Sequence, residues 1–205
     1  MELYNPTGES INLSSTPIYL CYYASGKNWN ASSYPAADKM RLSGTIPAYG
    51  FYLVKIDGTG TMPTPDHDWG YTGDADTLSN SAGSIAIFPW NPNTKTAEEA
   101  KNGRIDAVGW GSVEYVNETQ SAAVPGSGKS LERKTNATAI DHNYGNAWDS
   151  DDNSADFLVQ DSPNPQNSGA EAVPPLPELP GIVLLAFGLL MLATYIVLKR
   201  RDFEK

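Results

Sequence analysis

Tyr49-Gly-Phe-Tyr-Leu-Val-Lys-Ile56 packs aromatic and β-branched residues into a run too short for a helix, directly after the turn composition Ile46-Pro47-Ala48. Such a run reads as a strand. Ile18-Tyr-Leu-Cys-Tyr-Tyr23, Ser84-Ile-Ala-Ile-Phe88 and Ile105-Asp-Ala-Val-Gly-Trp110 have the same character and are bounded by Gly, Pro, Asn and Asp. Ser130-Leu-Glu-Arg-Lys134 alternates outward polar groups with an inward Leu131, the pattern of a half-buried strand. Asn5-Pro6-Thr7-Gly8 is a turn composition whose apolar flanks can enter neighbouring strands. Only Thr96-Ala-Glu-Glu-Ala-Lys101 reads as helical, and a helix of that length needs packing to persist. Short strands at this spacing predict an all-β sandwich.

The chain has 205 residues, with 24 acids against 14 Lys plus Arg. Residues 199–205 hold four bases and two acids, which leaves 10 bases and 22 acids, or −12, on the remainder. An acidic body argues against nucleic acid as a partner. Cys21 is the sole cysteine, so an intramolecular disulfide framework is excluded, and in a strand its thiol is expected to serve as a small apolar side chain.

Residues 181–198 carry no charge and are followed at once by Lys199, Arg200 and Arg201. As a helix this stretch is just long enough to cross a hydrocarbon core of about 30 Å. Positive residues favour the cytoplasm, so 199–205 is expected inside and the body outside. An exported body needs a leader, yet the first ten residues have neither a basic start nor an apolar stretch, so the expectation is that residues precede Met1 in the native protein. The prolines between body and span exclude helix, and 166–180 reads as a semi-rigid linker.

Pro177-Glu178-Leu179-Pro180, the apolar stretch and the basic end occur in the order of the tripartite C-terminal tails that membrane-embedded archaeosortases and exosortases process, and resemble the PEF-CTERM type. Four ordered blocks in the body, Glu2-Leu-Tyr-Asn-Pro-Thr-Gly-Glu-Ser-Ile-Asn-Leu-Ser14, Leu42-Ser-Gly-Thr-Ile-Pro-Ala-Tyr-Gly-Phe-Tyr-Leu-Val54, Gly128-Lys-Ser-Leu-Glu-Arg-Lys134 and Asp149-Ser-Asp-Asp-Asn-Ser-Ala-Asp-Phe157 with Ser162-Pro-Asn-Pro165, resemble a lamin-tail domain over residues 1–165. The resemblance implies an immunoglobulin-like β-sandwich that acts as a non-catalytic interaction module, with another strand before Glu2. The expected organisation is therefore a sandwich (1–165), a linker with a sorting-type motif (166–180), a transmembrane helix (181–198) and a basic cytoplasmic tail (199–205). The protein would sit on the cell membrane with its domain extracellular, or be released to the cell surface after processing, and bind a surface protein or glycan.

Other chemistries have residues to offer. Ala123-Val-Pro-Gly-Ser-Gly-Lys-Ser130 fits a relaxed phosphate-binding loop, but it lacks the strand before and helix after that such a loop requires. Asp149, Asp151, Asn153 and Asp156 place oxygen ligands at nearly alternate positions, as a calcium loop does, although Ser154 stands where glycine is needed and Gln160 where the bidentate Glu should be. The competing reading is a set of side chains capping amides before a final strand. No other cofactor is expected. His67 and His142 each lie beside an aspartate, and a surface metal-dependent hydrolase would use them. The lamin-tail resemblance also implies the alternative of an accessory module in a longer nuclease or phosphatase, its catalytic domain lying before Met1. Trp110 reads as core, whereas Trp29, Trp69, Trp90 and Trp148 sit in loops where an exposed ring can hold a glycan or a protein. Asn12, Asn30, Asn117 and Asn136 head Asn-x-Ser/Thr sequons. A cytoplasmic, tail-anchored scaffold is the third reading, and it follows if Met1 is the true start.

Overall fold

The computed structural model describes residues 1–24, 39–56, 63–69, 78–113 and 118–177. Two compact units divide the chain, residues 1–175 and 176–205, and of the second only Leu176 and Pro177 are described. Among the described residues the regular structure is mostly strand, with little helix.

The largest sheet has four antiparallel strands in the order β4 (Lys39–Arg41), β3 (Tyr19–Ala24), β8 (Gly83–Phe88) and β9 (Asp106–Trp110). The central strands β3 and β8 are continuous rather than alternating because both of their faces are covered, a condition that removes the polar half of the period-two pattern. On one face Leu20, Tyr22, Ile85 and Trp110 join Tyr52 and Val54 in the main core. On the other, Cys21, Tyr23, Ala86, Phe88 and Ala107 pack under Ala100. Cys21 is buried there.

Ala100 belongs to α1 (Ala97–Gly103), which stands where a helix was expected. Its start is a reciprocal cap, with Glu99 N–H donating to Thr96 Oγ1 at 3.2 Å and Thr96 N–H donating to Glu99 Oε2 at 2.9 Å. Seven residues cannot hold a helix alone, and burial of Ala100 against the sheet supplies what length does not.

A second sheet contains β1 (Glu2–Tyr4), β6 (Phe51–Lys55) and β7 (His67–Asp68), with β1 antiparallel and β7 parallel to β6. Phe51 through Val54 are all buried. Tyr49, read as the first strand residue, instead turns with φ 51°, and Gly50 N–H closes the turn on Pro47 O at 3.1 Å. Strands β2 (Ile11–Asn12) and β5 (Thr45–Ile46) pair antiparallel. So do β10 (Ser130–Arg133) and β11 (Phe157–Gln160), with Leu131 and Phe157 packed on the main core. Trp110 stacks on Tyr22 at 6.4 Å and donates through Nε1 to Ser79 O at 2.8 Å.

One boundary differs from expectation. The body runs to Pro175 rather than 165, because residues 166–175 are docked and do not form a free linker. Polar side chains make the attachment, which apolar patterning does not reveal: Ser168 N–H and hydroxyl donate to the Asp66 carboxylate, and Asn167 Nδ2 donates to Thr64 O at 2.8 Å. Among the described residues no helix is long and apolar enough to cross a membrane. The expected span 181–198, Glu178, Leu179 and Pro180 of the sorting-type motif, and Lys199, Arg200 and Arg201 lie outside the described residues; Pro177 is exposed.

Candidate functional site

Strand β9 ends the large sheet, and an end strand presents unpaired amides and carbonyls that invite another chain. Here Ala122 pairs with one end of that edge, its N–H donating to Gly109 O at 2.7 Å, and the carboxamide of Asn153 takes the place of a neighbouring strand at Ala107 and Gly109. Its Oδ1 accepts Gly109 N–H at 2.8 Å and its Nδ2 donates to Ala107 O at 2.9 Å. The same side chain accepts Glu118 N–H at 3.2 Å and donates to Glu118 Oε2 at 2.6 Å. Asn153 is wholly buried, at the start of the one-turn helix α2 (Asn153–Asp156).

Asp156, at the other end of that turn, is also wholly buried. Its oxygens accept Ser150 N–H at 3.0 and 3.1 Å and the Ser150 hydroxyl at 2.6 Å. Asp152 caps α2 by accepting Ser154 N–H at 3.0 Å, and Asp151 holds φ 57° between them. Of the four calcium-loop candidates, then, Asn153 and Asp156 have their oxygens turned to amides and hydroxyls of the protein. The run behaves as a capped turn leading into β11.

Asp149 faces a different group. One oxygen each from Asp106, Glu118 and Asp149 lie within 4.8 Å of one another, a set the aspartate spacing in the sequence does not reveal. Two arginines enter it. Arg133 Nη2 is 2.6 Å from Asp106, and its Nη1 is 3.3 Å from Asp149 and 3.8 Å from Asp156. Arg104 Nη2 is 3.6 Å from both Glu118 and Asp151. The Arg133 guanidinium also lies 4.6 Å from the centre of the Phe157 ring and donates to Trp148 O at 3.1 Å. It thereby ties β9, β10, β11 and the 148–149 segment together.

Five carboxylates, Asp106, Glu118, Asp149, Asp151 and Asp156, meet two guanidinium groups here. The excess negative charge is met in part by protons. Burial, reinforced by Asp106 and Asp149, pushes the Glu118 carboxyl up to about 7, and burial also raises Asp106 against the pull of Arg133. Carboxylate oxygens are the donors a hard divalent cation would use, and such an ion would have to displace Arg133 from Asp106 and Asp149.

A raised folded-state pKa in an acid means that folding takes up a proton. The contribution of Glu118 is present in full below its ordinary value near 4.5 and is lost as pH rises through about 7. Glu118→Gln keeps an acceptor for Asn153 Nδ2 and removes the titration. Between pH 4.5 and 8 the stability of the variant relative to the parent should therefore improve by roughly 3 kcal/mol. Urea unfolding of both proteins across that range checks it. A constant difference would contradict the burial of an ionisable Glu118.

The two histidines have different surroundings. His67, on β7, has Nδ1 3.3 Å from Ser43 Oγ and 3.4 Å from Tyr52 Oη, while Tyr52 Oη donates to Ser43 O at 2.5 Å. Its neighbour Asp66 is engaged by Leu53 N–H and Ser168, and Asp68 pairs with Lys55 at 3.1 Å. His142 is exposed, 3.6 Å from Glu132. Among the described residues no cluster of three metal-ligating side chains includes either histidine.

Lys129 of the glycine-rich segment pairs with Asp161 at 2.6 Å, and the chain passes from it into strand β10, not a helix. Trp90 packs on Phe88 at 5.2 Å with Lys95 over its ring, and Trp69 joins the main core. Trp148 is 36% exposed, beside β10, where its N–H meets Lys134 O at 3.0 Å. Asn12 is exposed and Asn136 half-buried, and in each the side-chain oxygen accepts the amide two residues on, at 2.9 Å. Trp29, Asn30 and Asn117 lie outside the described residues.

No protein-family model, curated protein or solved structure matches the chain.

Proposed function

We propose that this protein is a non-enzymatic surface module: a lamin-tail-like, immunoglobulin-like β-sandwich displayed outside the cell by the apolar segment 181–198, with Lys199, Arg200 and Arg201 on the cytoplasmic side. The observation that carries the reading is the junction. A compact, strand-rich body closes at Pro175, and five residues after Leu176 a charge-free stretch of 18 residues begins, followed directly by three bases. Pro177 to Pro180 would be the element an archaeosortase or exosortase reads. The module binds a surface protein or a glycan, and Trp148 is an exposed ring suited to either. Exported in this orientation, Asn12, Asn30, Asn117 and Asn136 would be open to glycosylation.

Adding a protease to intact cells tests the topology. The body should be degraded while a cytoplasmic marker survives. A body protected until the cells are lysed would replace surface display with the cytoplasmic tail-anchored reading.

A surface hydrolase is the second reading, favoured by the approach of exposed Ser43 to His67 Nδ1. Hydrolysis of an ester or phosphate substrate by the purified chain that disappears in His67→Ala would establish it.

A further inference from the structure

The segment that leads to the tail lies along the first strand, and its contacts follow that strand in order. Gln166 N–H donates to Glu2 Oε2 at 2.5 Å, near the start of β1. Ser168 is held by Asp66, which also accepts Leu53 N–H at 2.7 Å, and Leu53 is the register partner of Glu2. Farther along, Tyr4 Oη donates to Val173 O at 2.7 Å, and Val173 N–H donates to Tyr49 O at 2.8 Å. Gly145 N–H then donates to Pro174 O at 2.9 Å. Gly145 has no room for a side chain, because a Cβ there would lie 2.0 Å from Tyr4 Cζ. The early part of the segment therefore meets the early part of β1, the later part meets its end, and the two run in the same direction.

Direction decides how such a contact fails under tension. When two side-by-side segments run the same way, pulling one by its N-terminal end and the other by its C-terminal end slides them past each other, and every contact must give together. Pulling both by their C-terminal ends breaks the contacts in sequence, starting from Pro174. The first arrangement resists force and the second does not.

We propose that β1 and residues 166–175 form a shear clamp that carries tension between the N-terminal strand and the membrane-directed tail, with Tyr4, Asp66 and Gly145 as its fastening points. This inference rests on the display reading, which supplies the tether, but its mechanics belong to the body alone. The partner is a pulling one: whatever holds the N-terminal side of the body loads the clamp in its resistant direction.

Single-molecule pulling on the full chain in detergent tests the proposal. Handles at Met1 and Lys205 load the clamp in shear, and handles at Glu9→Cys, an exposed position just after the C-terminal end of β1, and Lys205 peel it. At one fixed force, release of the segment should be at least about tenfold slower in shear than in peel. Tyr4→Phe, which removes the contact to Val173 O, should speed the shear release about fivefold, the loss expected for one hydrogen bond of ordinary net strength. Ser168→Ala should act in the same sense. Equal release rates in the two geometries, or a shear rate that neither variant changes, would overturn the clamp. Cell fractionation reports on the tether separately, so a soluble chain with an intact clamp would refute display and leave the mechanical inference standing.

Discussion

Asn153→Ala should cost about 4 kcal/mol in folding free energy, because it orphans several buried groups at once. Gly109 N–H, Glu118 N–H and Ala107 O lose this partner at a wholly buried side chain, and the Glu118 carboxylate is left with Arg104. The loss should have a location as well as a size. Hydrogen exchange at the Gly109 amide should accelerate far more than in the β3–β8 centre of the sheet, since that amide is paired only through the Asn153 side chain among the described residues. The stretch of the β9 edge that Ala122 does not pair would also offer a template for other chains, so the variant should aggregate as it unfolds. Urea unfolding with exchange measured by mass spectrometry checks both. A loss below 1 kcal/mol would mean that the carboxamide does not stand in for a strand.

Gly111→Ala should be comparably damaging, by about 3 to 5 kcal/mol, through backbone rather than side-chain loss. Gly111 holds φ 67°, and a Cβ would lie 2.1 Å from Ser81 O and 3.1 Å from Ala82 Cα. Both are main-chain atoms beside the start of β8, so neither can swing away as a side chain would. Relief requires the ends of β8 and β9 to separate, which pulls Trp110 from Tyr22 and exposes the indole to water. Gly44→Ala is the control. Gly44 has φ 95°, but no atom lies within 4 Å of its Cβ position, so that change should cost only the conformational part, about 1 kcal/mol. Equal losses at the two sites would show that the Ser81 contact is not as close as described.

The strands that were legible in the sequence are those whose burial is apolar. Cys21, Tyr23 and Phe88 could be read because a sheet covered on both faces leaves a continuous greasy run, and α1 because Thr96 and Glu99 spell out its cap. What escaped was built from polar groups. Asn153 is an asparagine in an aspartate-rich turn, and nothing in the order of residues separates an exposed capping side chain from one that closes a sheet. Glu118 joins Asp106 and Asp149 only through the fold, and Arg133, on an otherwise ordinary alternating strand, gives no sign that it neutralises them. The docked segment 166–175 has the composition of a linker, because its attachment uses main-chain groups and the carboxylates of Glu2 and Asp66 rather than an apolar stripe.

The proposed function rests on the apolar run 181–198 serving as a tether in lipid. Fractionation of cells making the full chain, beside a version ending at Pro180, measures it directly. The full chain should sediment with membranes, resist carbonate and high salt, and enter solution only with detergent, while the shortened version should be soluble or secreted. A full-length, uncleaved chain that stays in the soluble fraction without detergent would contradict the account at its root.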